Sequence, residues 1–229
     1  MIKKIFSVRV LTVLTLIAFV LSAVYIAVLR FLPEAEHRYN ILARSDFEII
    51  FLTCLAGIAA LFFPAIVRKF SGYTISNTMM AIYVAFIFGS MFLGSIMNLY
   101  YRIFHWDTFL HLLSGITLGI LGYAIADIVE KTHKTKYNAM FVTIFAFCFA
   151  SAMGVLWEIY EFAIDSIAGS NTQRWADAYG VPFVGQAALF DTMKDLIANK
   201  IGAVAVCIWG YMRLKRKDWP QSLTIARIK

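Results

Sequence analysis

Six long apolar runs organise the chain, and most polar positions fall at their ends or in the stretches between them. The runs cover about residues 8–32, 47–67, 77–101, 107–129, 138–165 and 191–213. Each reaches or passes the ~20 residues that carry a helix across ~30 Å of hydrocarbon. Backbone groups in lipid must be paired within their own segment, so the runs predict helices. Connections between them are mostly short. The pattern therefore predicts an all-α polytopic membrane protein, a single bundle of six transmembrane helices forming one domain over 1–229. The longest connection, 166–190, holds Gly169, Gly180, Pro182 and Gly185 with Trp175, Tyr179 and Phe183. A stretch of ~25 residues is commonly a lid or binding loop. The alternative is a connector resting on headgroups, with Trp175 as its interfacial anchor.

The first run follows Lys3, Lys4 and Arg9 as a signal peptide would, but Val10 to Leu29 exceeds the ~7–15 residues of a signal core. A retained helix is expected. Composition agrees with the membrane reading: 61% of residues are hydrophobic and mean hydropathy is +0.73, which excludes disorder. Cys54, Cys148 and Cys207 all lie in apolar runs without a CxxC pairing, as small buried hydrophobes do.

The formal net charge of +7 matters through its distribution. With the N-terminus cytoplasmic, inner segments hold Lys3, Lys4, Arg9, Arg68, Lys69, Lys131, Lys134, Lys136, Arg213, Lys215, Arg216, Lys217, Arg227 and Lys229. Outer segments hold Arg30, Arg38, Arg44, Arg102 and Arg174. This positive-inside bias sets both termini in the cytoplasm. Membrane lipids are the expected partner, since anionic headgroups satisfy the basic tail from Arg213 to Lys217 and no nucleic acid is called for.

Against this apolar background stand six acids and a histidine: Asp107 and His111; Glu158, Glu161 and Asp165; Asp191 and Asp195. Ionisable groups within membrane helices are costly and usually functional. At about 100° per residue, His111 lies one turn below Asp107, and Asp195 one turn below Asp191. Ser114, Gly115 and Gly122 extend the first stripe, Ser151 and Gly154 the second, and Asn199 and Gly202 the third. All three stripes reach the outer membrane face, and Gly94, Asn98 and Tyr101 of the third run are candidates for a fourth wall. Carboxylates so close together require a positive charge among them. Carboxylate oxygens with one imidazole suit a divalent metal ion, Mg²⁺, Mn²⁺, Zn²⁺ or Fe, rather than copper. Asp107, His111, Glu158, Glu161, Asp191 and Asp195 are the expected ligands, with Glu158 or Glu161 free as a catalytic base.

Simpler roles compete at the outermost positions. Asp107 and Asp191 can be helix N-caps, and Asp165 a solvated helix end. Arg102, Arg174 and Lys194 can neutralise acids as salt bridges. Lys200 falls about 180° from Asp191 and is expected to face elsewhere or snorkel. Asp127 and Glu130 with Lys131 read as a solvated turn, and His37 and His105 as bystanders. Gly89, Ser90, Gly94 and Ser95, like Gly115, Gly119 and Gly122, suit close helix packing. No phosphate loop, G-x-S-x-G or H-E-x-x-H is present.

The segments W-D-T-F-L-H-L-L-S-G (106–115), W-E-I-Y-E-F (157–162) and D-T-M-K-D-L-I-A-N-K-I-G-A (191–203) resemble a bacterial inner-membrane family typified by YjdF. More loosely, they are similar to VanZ-like membrane proteins. The resemblance covers about the last 130 residues. It implies a multipass helical protein of the bacterial plasma membrane, and it draws attention to Asp107, His111, Glu158, Glu161, Asp191 and Asp195. In that pattern an acid often follows four residues after Asp195, where this chain has Asn199.

Three functions suit this reading. The first is a metal-dependent hydrolase or transferase acting on a lipid or lipid-linked envelope substrate at the extracytoplasmic face. The second is a divalent-cation transporter or sensor. The third is a non-catalytic structural or accessory protein whose acids form a packed network.

Overall fold

The computed structural model describes residues 7–30, 44–177 and 179–227. Lys3, Lys4, His37, Arg38 and Lys229, together with the end of the first run at 31–32, lie outside the described residues. The helices are α1 (Val8–Arg30), α2 (Arg44–Ser71), α3 (Asn77–Ile87), α4 (Leu99–Arg102), α5 (Trp106–His133), α6 (Ala139–Ala168) and α7 (Gln186–Arg216). Two short strands, β1 (Tyr73–Ile75) and β2 (Ile225–Arg227), complete the described elements apart from a wide helical stretch at Phe88–Ile96 and a short 3₁₀ turn at Gln221–Leu223. Six of the helical segments are long and apolar enough to cross a membrane. The protein is an integral, multipass membrane protein.

The boundaries differ from the hydropathy reading at several helix ends. The last span begins at Gln186 rather than at 191, so the outer connection shortens to Gly169–Gly185. The third span is not one regular helix. It passes from α3 into a wide π-helical stretch, Phe88–Ile96, and ends where Asn98 takes a left-handed φ of 61°. Wide turns misalign backbone groups and are stable only where other contacts hold them. Here Phe88 stacks on Phe92, and the Trp106 indole N–H donates to the Gly89 carbonyl at 3.3 Å.

The chain divides into two compact units. One takes in the described residues up to Trp106 together with those from Ser222 onward. Its core is Phe19, Ala23, Cys54, Leu61 and Val84. A Cβ at Gly57 would lie 2.5 Å from the Phe19 ring, so only glycine lets α1 and α2 close on that ring. In the same unit β1 pairs antiparallel with β2, Tyr73 opposite Arg227 and Ile75 opposite Ile225. Ser76 caps α3 by accepting from the Met79 N–H, and its hydroxyl also donates to the Ser222 carbonyl.

The other unit, Asp107–Gln221, contains nearly all of α5 and the whole of α6 and α7. Its helices approach through small residues. A Cβ on Gly115 would fall 1.9 Å from the Asn199 carbonyl oxygen, and one on Gly202 would fall 2.1 Å from that of Leu112. Backbone therefore meets backbone where α5 crosses α7, the close approach that small residues permit in membranes. Towards the inner end, Tyr123 is buried and its hydroxyl bonds Thr143 and the Cys207 carbonyl, joining all three helices. Cys54 and Cys207 are buried as expected, whereas Cys148 is exposed on the outside of α6. Asp127, Glu130 and Lys131 lie in the last turns of α5 rather than in a turn between helices, where Lys131 pairs with Asp127 and Lys136 with Glu130.

Candidate metal centre

The close crossing of α5 and α7 sets the distances in the site. Asp107 and His111 lie one turn apart on α5, and Asp195 faces them from α7. One ligand atom from each of these three residues lies within 4.8 Å of the other two. Asp195 is 2% exposed and His111 8%. The two imidazole nitrogens point at different acids. Nε2 is 3.6 Å from Asp107 Oδ1, and Nδ1 is 3.8 Å from Glu158 Oε1. Both separations exceed hydrogen-bond length, so the ring sits between two carboxylates without bonding either.

Glu158 enters from α6 and is 5% exposed, and neither of its carboxylate oxygens reaches a hydrogen-bond partner. Asp195 Oδ1 is likewise buried without one. Buried polar atoms are nearly always paired, so three unpaired carboxylate oxygens on one site require a reason.

Asp191 behaves differently. Lys194 donates to it at 2.6 Å and stands 3.5 Å from Asp195. Arg174 spans Asp191, at 3.7 Å, and Asp107, at 3.5 Å. With both cations charged, Asp107, Glu158, Asp191 and Asp195 exceed them by two negative charges when ionised, the charge of one divalent ion. The salt-bridge role considered for Arg174 and Lys194 therefore exists and is incomplete. Helix α7 begins five residues before Asp191, so that acid is not an N-cap; Gly185 holds that place.

Glu161 has a hydrogen-bond partner of its own on α6. Its Oε1 accepts from the Trp157 indole N–H at 2.8 Å, a partner one turn back on the same helix. Asp165 is not a solvated end. It is 8% exposed and accepts from the Ser170 hydroxyl, the Thr172 hydroxyl and the backbone N–H groups of Thr172 and Gln173. Gly169, at φ 64°, turns the chain so that these donors fold back over the helix end. The outer loop is thereby anchored at its start, and Arg174, itself at a left-handed φ of 49°, follows directly.

Gln173 had no signal in the spacing, whereas Asn199 stood on the predicted α7 stripe. Gln173 donates from its side chain to the Glu158 carbonyl and to the Thr192 hydroxyl, tying the loop to α6 and α7. Asn199, fully buried, donates to the Ser114 hydroxyl at 3.0 Å. Gly154 makes room for that amide, since a Cβ there would lie 2.6 Å from Asn199 Oδ1. Lys200 does not snorkel to water; its ammonium nitrogen is buried without a hydrogen-bond partner.

The model of a family described as Predicted membrane protein (DUF2238) matches residues 9–216. An uncharacterized protein of Thermotoga maritima is 28% identical over 142 residues, which is 62% of this chain. The match spans 66% of that relative's length. No solved structure matches the chain. These findings agree with the family resemblance carried by segments 106–115, 157–162 and 191–203.

Proposed function

The chain belongs to the family described as Predicted membrane protein (DUF2238), and from that premise we propose a metal-dependent membrane enzyme, a hydrolase or transferase acting on a lipid or lipid-linked substrate. Asp107, His111 and Asp195 would hold one divalent ion, Mg²⁺, Mn²⁺, Zn²⁺ or Fe. The observation that carries the reading is a pair of buried carboxylates: both oxygens of Glu158 and Oδ1 of Asp195 lack a hydrogen-bond partner, while Asp195 Oδ2 has Lys194 at 3.5 Å. An uncompensated buried charge is strongly destabilising, by ~3–5 kcal/mol. A cation among these oxygens removes that cost. An imidazole nitrogen with two carboxylates is a donor set that suits these ions.

The ion would supply Lewis acidity towards a carbonyl or phosphoryl oxygen. Glu158 stands beside His111 with both oxygens uncommitted. It has the position of a general base that takes a proton from an attacking water or alcohol and returns it to the leaving oxygen. Arg174 and Lys194 hold Asp191 and keep the rim of the site positive enough to admit an anionic or ester group. Glu161, bonded to Trp157, has the weaker claim of the two glutamates. The charge bias of the loops puts this end of the helices on the extracytoplasmic side.

Elemental analysis of protein purified without chelator tests the proposal. About one divalent ion per chain is expected, lost in His111→Ala and Asp195→Asn and kept in Glu161→Gln. Wild-type protein that holds no ion, and gains no thermal stability when Mn²⁺ or Zn²⁺ is added, refutes it. Ion flux in proteoliposomes that depends on Asp195 would favour transport over catalysis.

A further inference from the structure

The connection Gly169–Gly185 has two parts of opposite character. The first, 170–174, is polar and folds back onto Asp165 and the ends of α6 and α7. The second, 175–184, is a hairpin. Ala176 bridges Pro182 antiparallel, the Phe183 N–H donates to the Trp175 carbonyl at 2.9 Å, and Gly180, at φ 78°, makes the turn. Asp177 is the only charged residue of this second part. Tyr179 is 92% exposed and Val184 87%, and Val181 and Phe183 are exposed with them.

The backbone of the hairpin closes on itself. The Ala176 N–H donates to the Asn171 side chain, the Asp177 N–H to the Val181 carbonyl and the Gly180 N–H to the Asp177 carbonyl. Asp177 Oδ1 accepts from the N–H groups of both Tyr179 and Val181 at 2.9 Å. With Phe183 bonded to Trp175, every described backbone N–H from Ala176 to Phe183 has an acceptor within the connection, and Pro182 has no N–H to satisfy. A loop bathed in water has no need of such closure, because water takes up the groups that the chain leaves unpaired. The connection at 134–138, with Lys134 and Lys136 exposed, has the composition of a water-facing loop. Complete pairing of N–H groups under an apolar exterior suits a place where water is scarce and an unpaired donor is costly.

We propose that the hairpin 175–184 is a wedge seated in the bilayer, with Tyr179, Val181 and Val184 at the boundary between headgroups and acyl chains. Lipid is the partner because the exposed apolar surface runs on from Val181, Phe183 and Val184 to Leu189 and Phe190, on the outward side of the membrane-spanning α7. Tyr179 suits that depth, with its ring among the acyl chains and its hydroxyl among headgroups. Trp175 is spent inside the connection, where its indole N–H donates to the Ser170 carbonyl at 3.0 Å. The connection is then held at both ends, by Asp165 at its root and by lipid at its tip. It is a brace for Gln173 and Arg174 rather than a lid over the acids. The inference stands apart from the metal-enzyme reading, since it needs only the hairpin and the bilayer.

Spin-label accessibility in phosphatidylglycerol nanodiscs tests the proposal. Cysteine is placed singly at Tyr179, Val181 or Val184 in a Cys148→Ser background, where Cys54 and Cys207 are buried, and is labelled with a thiol-reactive nitroxide. Ile144→Cys, on the exposed side of α6, reports lipid, and Lys134→Cys, on the charged connection, reports water. The ratio of collisions with oxygen to collisions with a nickel chelate is expected to be several-fold higher at Val181→Cys and Val184→Cys than at Lys134→Cys. It should approach the Ile144→Cys value, with Tyr179→Cys between the two references. Ratios at all three positions equal to that of Lys134→Cys overturn the proposal. Low collision with both reagents overturns it too, because that is the signature of a surface covered by protein, whether another segment of this chain or a second copy.

Discussion

Removing the carboxylate of Asp165 should release the outer loop at its root. Asp165 Oδ1 accepts from the Ser170 hydroxyl at 2.6 Å and from the N–H and hydroxyl of Thr172 at 2.7 and 2.6 Å, and Oδ2 accepts from the Gln173 N–H at 2.9 Å. Hydrogen bonds to a charged group contribute ~1.5–3 kcal/mol each. Water recovers much of this when the loop opens, and the Asn171 side chain still ties the loop to Ala176. A net loss of about 3 kcal/mol for Asp165→Ala follows from the two backbone amides alone. At ~1.4 kcal/mol per tenfold change, the Thr172 and Gln173 amides should exchange hydrogen ~100-fold faster. Asp165→Asn makes a sharper test. An amide oxygen in the Oδ1 place keeps the Thr172 bond, whereas an NH₂ in the Oδ2 place faces the Gln173 N–H donor to donor. Exchange should then quicken at Gln173 and much less at Thr172. Hydrogen-exchange mass spectrometry with residue resolution reads both. Unchanged exchange at both amides in a folded Asp165→Ala protein would refute the anchoring role.

Gly115→Ala should destabilise the protein by ~1–3 kcal/mol or more, because the new methyl meets the backbone of α7 and not a movable side chain. Gly169→Ala, with open space but a left-handed φ, should cost only ~1–2 kcal/mol; the order of thermal midpoints in detergent checks the pair. Arg174→Ala removes a cation that spans Asp107 and Asp191, so added Mn²⁺ should raise the melting temperature more than in wild type, and an equal or smaller rise would count against a shared cation site. Ser76→Ala should cost ~1 kcal/mol as a lost N-cap and expose residues 222–227 to limited proteolysis, where wild-type protein resists.

Much of the architecture was readable because lipid imposes a simple rule. Apolar runs of sufficient length must be helices, and six were found. The acids on α5 and α7 were readable for the same reason, since i, i+4 spacing fixes which side chains share a face. Other features depend on contacts that no local period encodes. Asp165 looks solvated until its donors, 170–173, fold back through the turn at Gly169. Glu161 shares a helix with Glu158, but a nearer partner, Trp157, claims its carboxylate. Asp191 looked like a cap because the apolar run was drawn from 191, yet Gln186–Phe190 continue the helix outward. The wide turns of Phe88–Ile96 and the pairing of 73–75 with 225–227 likewise leave no mark on hydropathy.

The strand β2 carries a consequence for biogenesis. The unit built on α1, α2 and α3 receives part of its structure from residues 222–227, synthesised more than a hundred positions later. A ribosome that has finished the first three spans has therefore made an unfinished object, whose β1 edge stays unpaired while α5, α6 and α7 are threaded into the bilayer. Translation must run through residue 227 before that edge is closed.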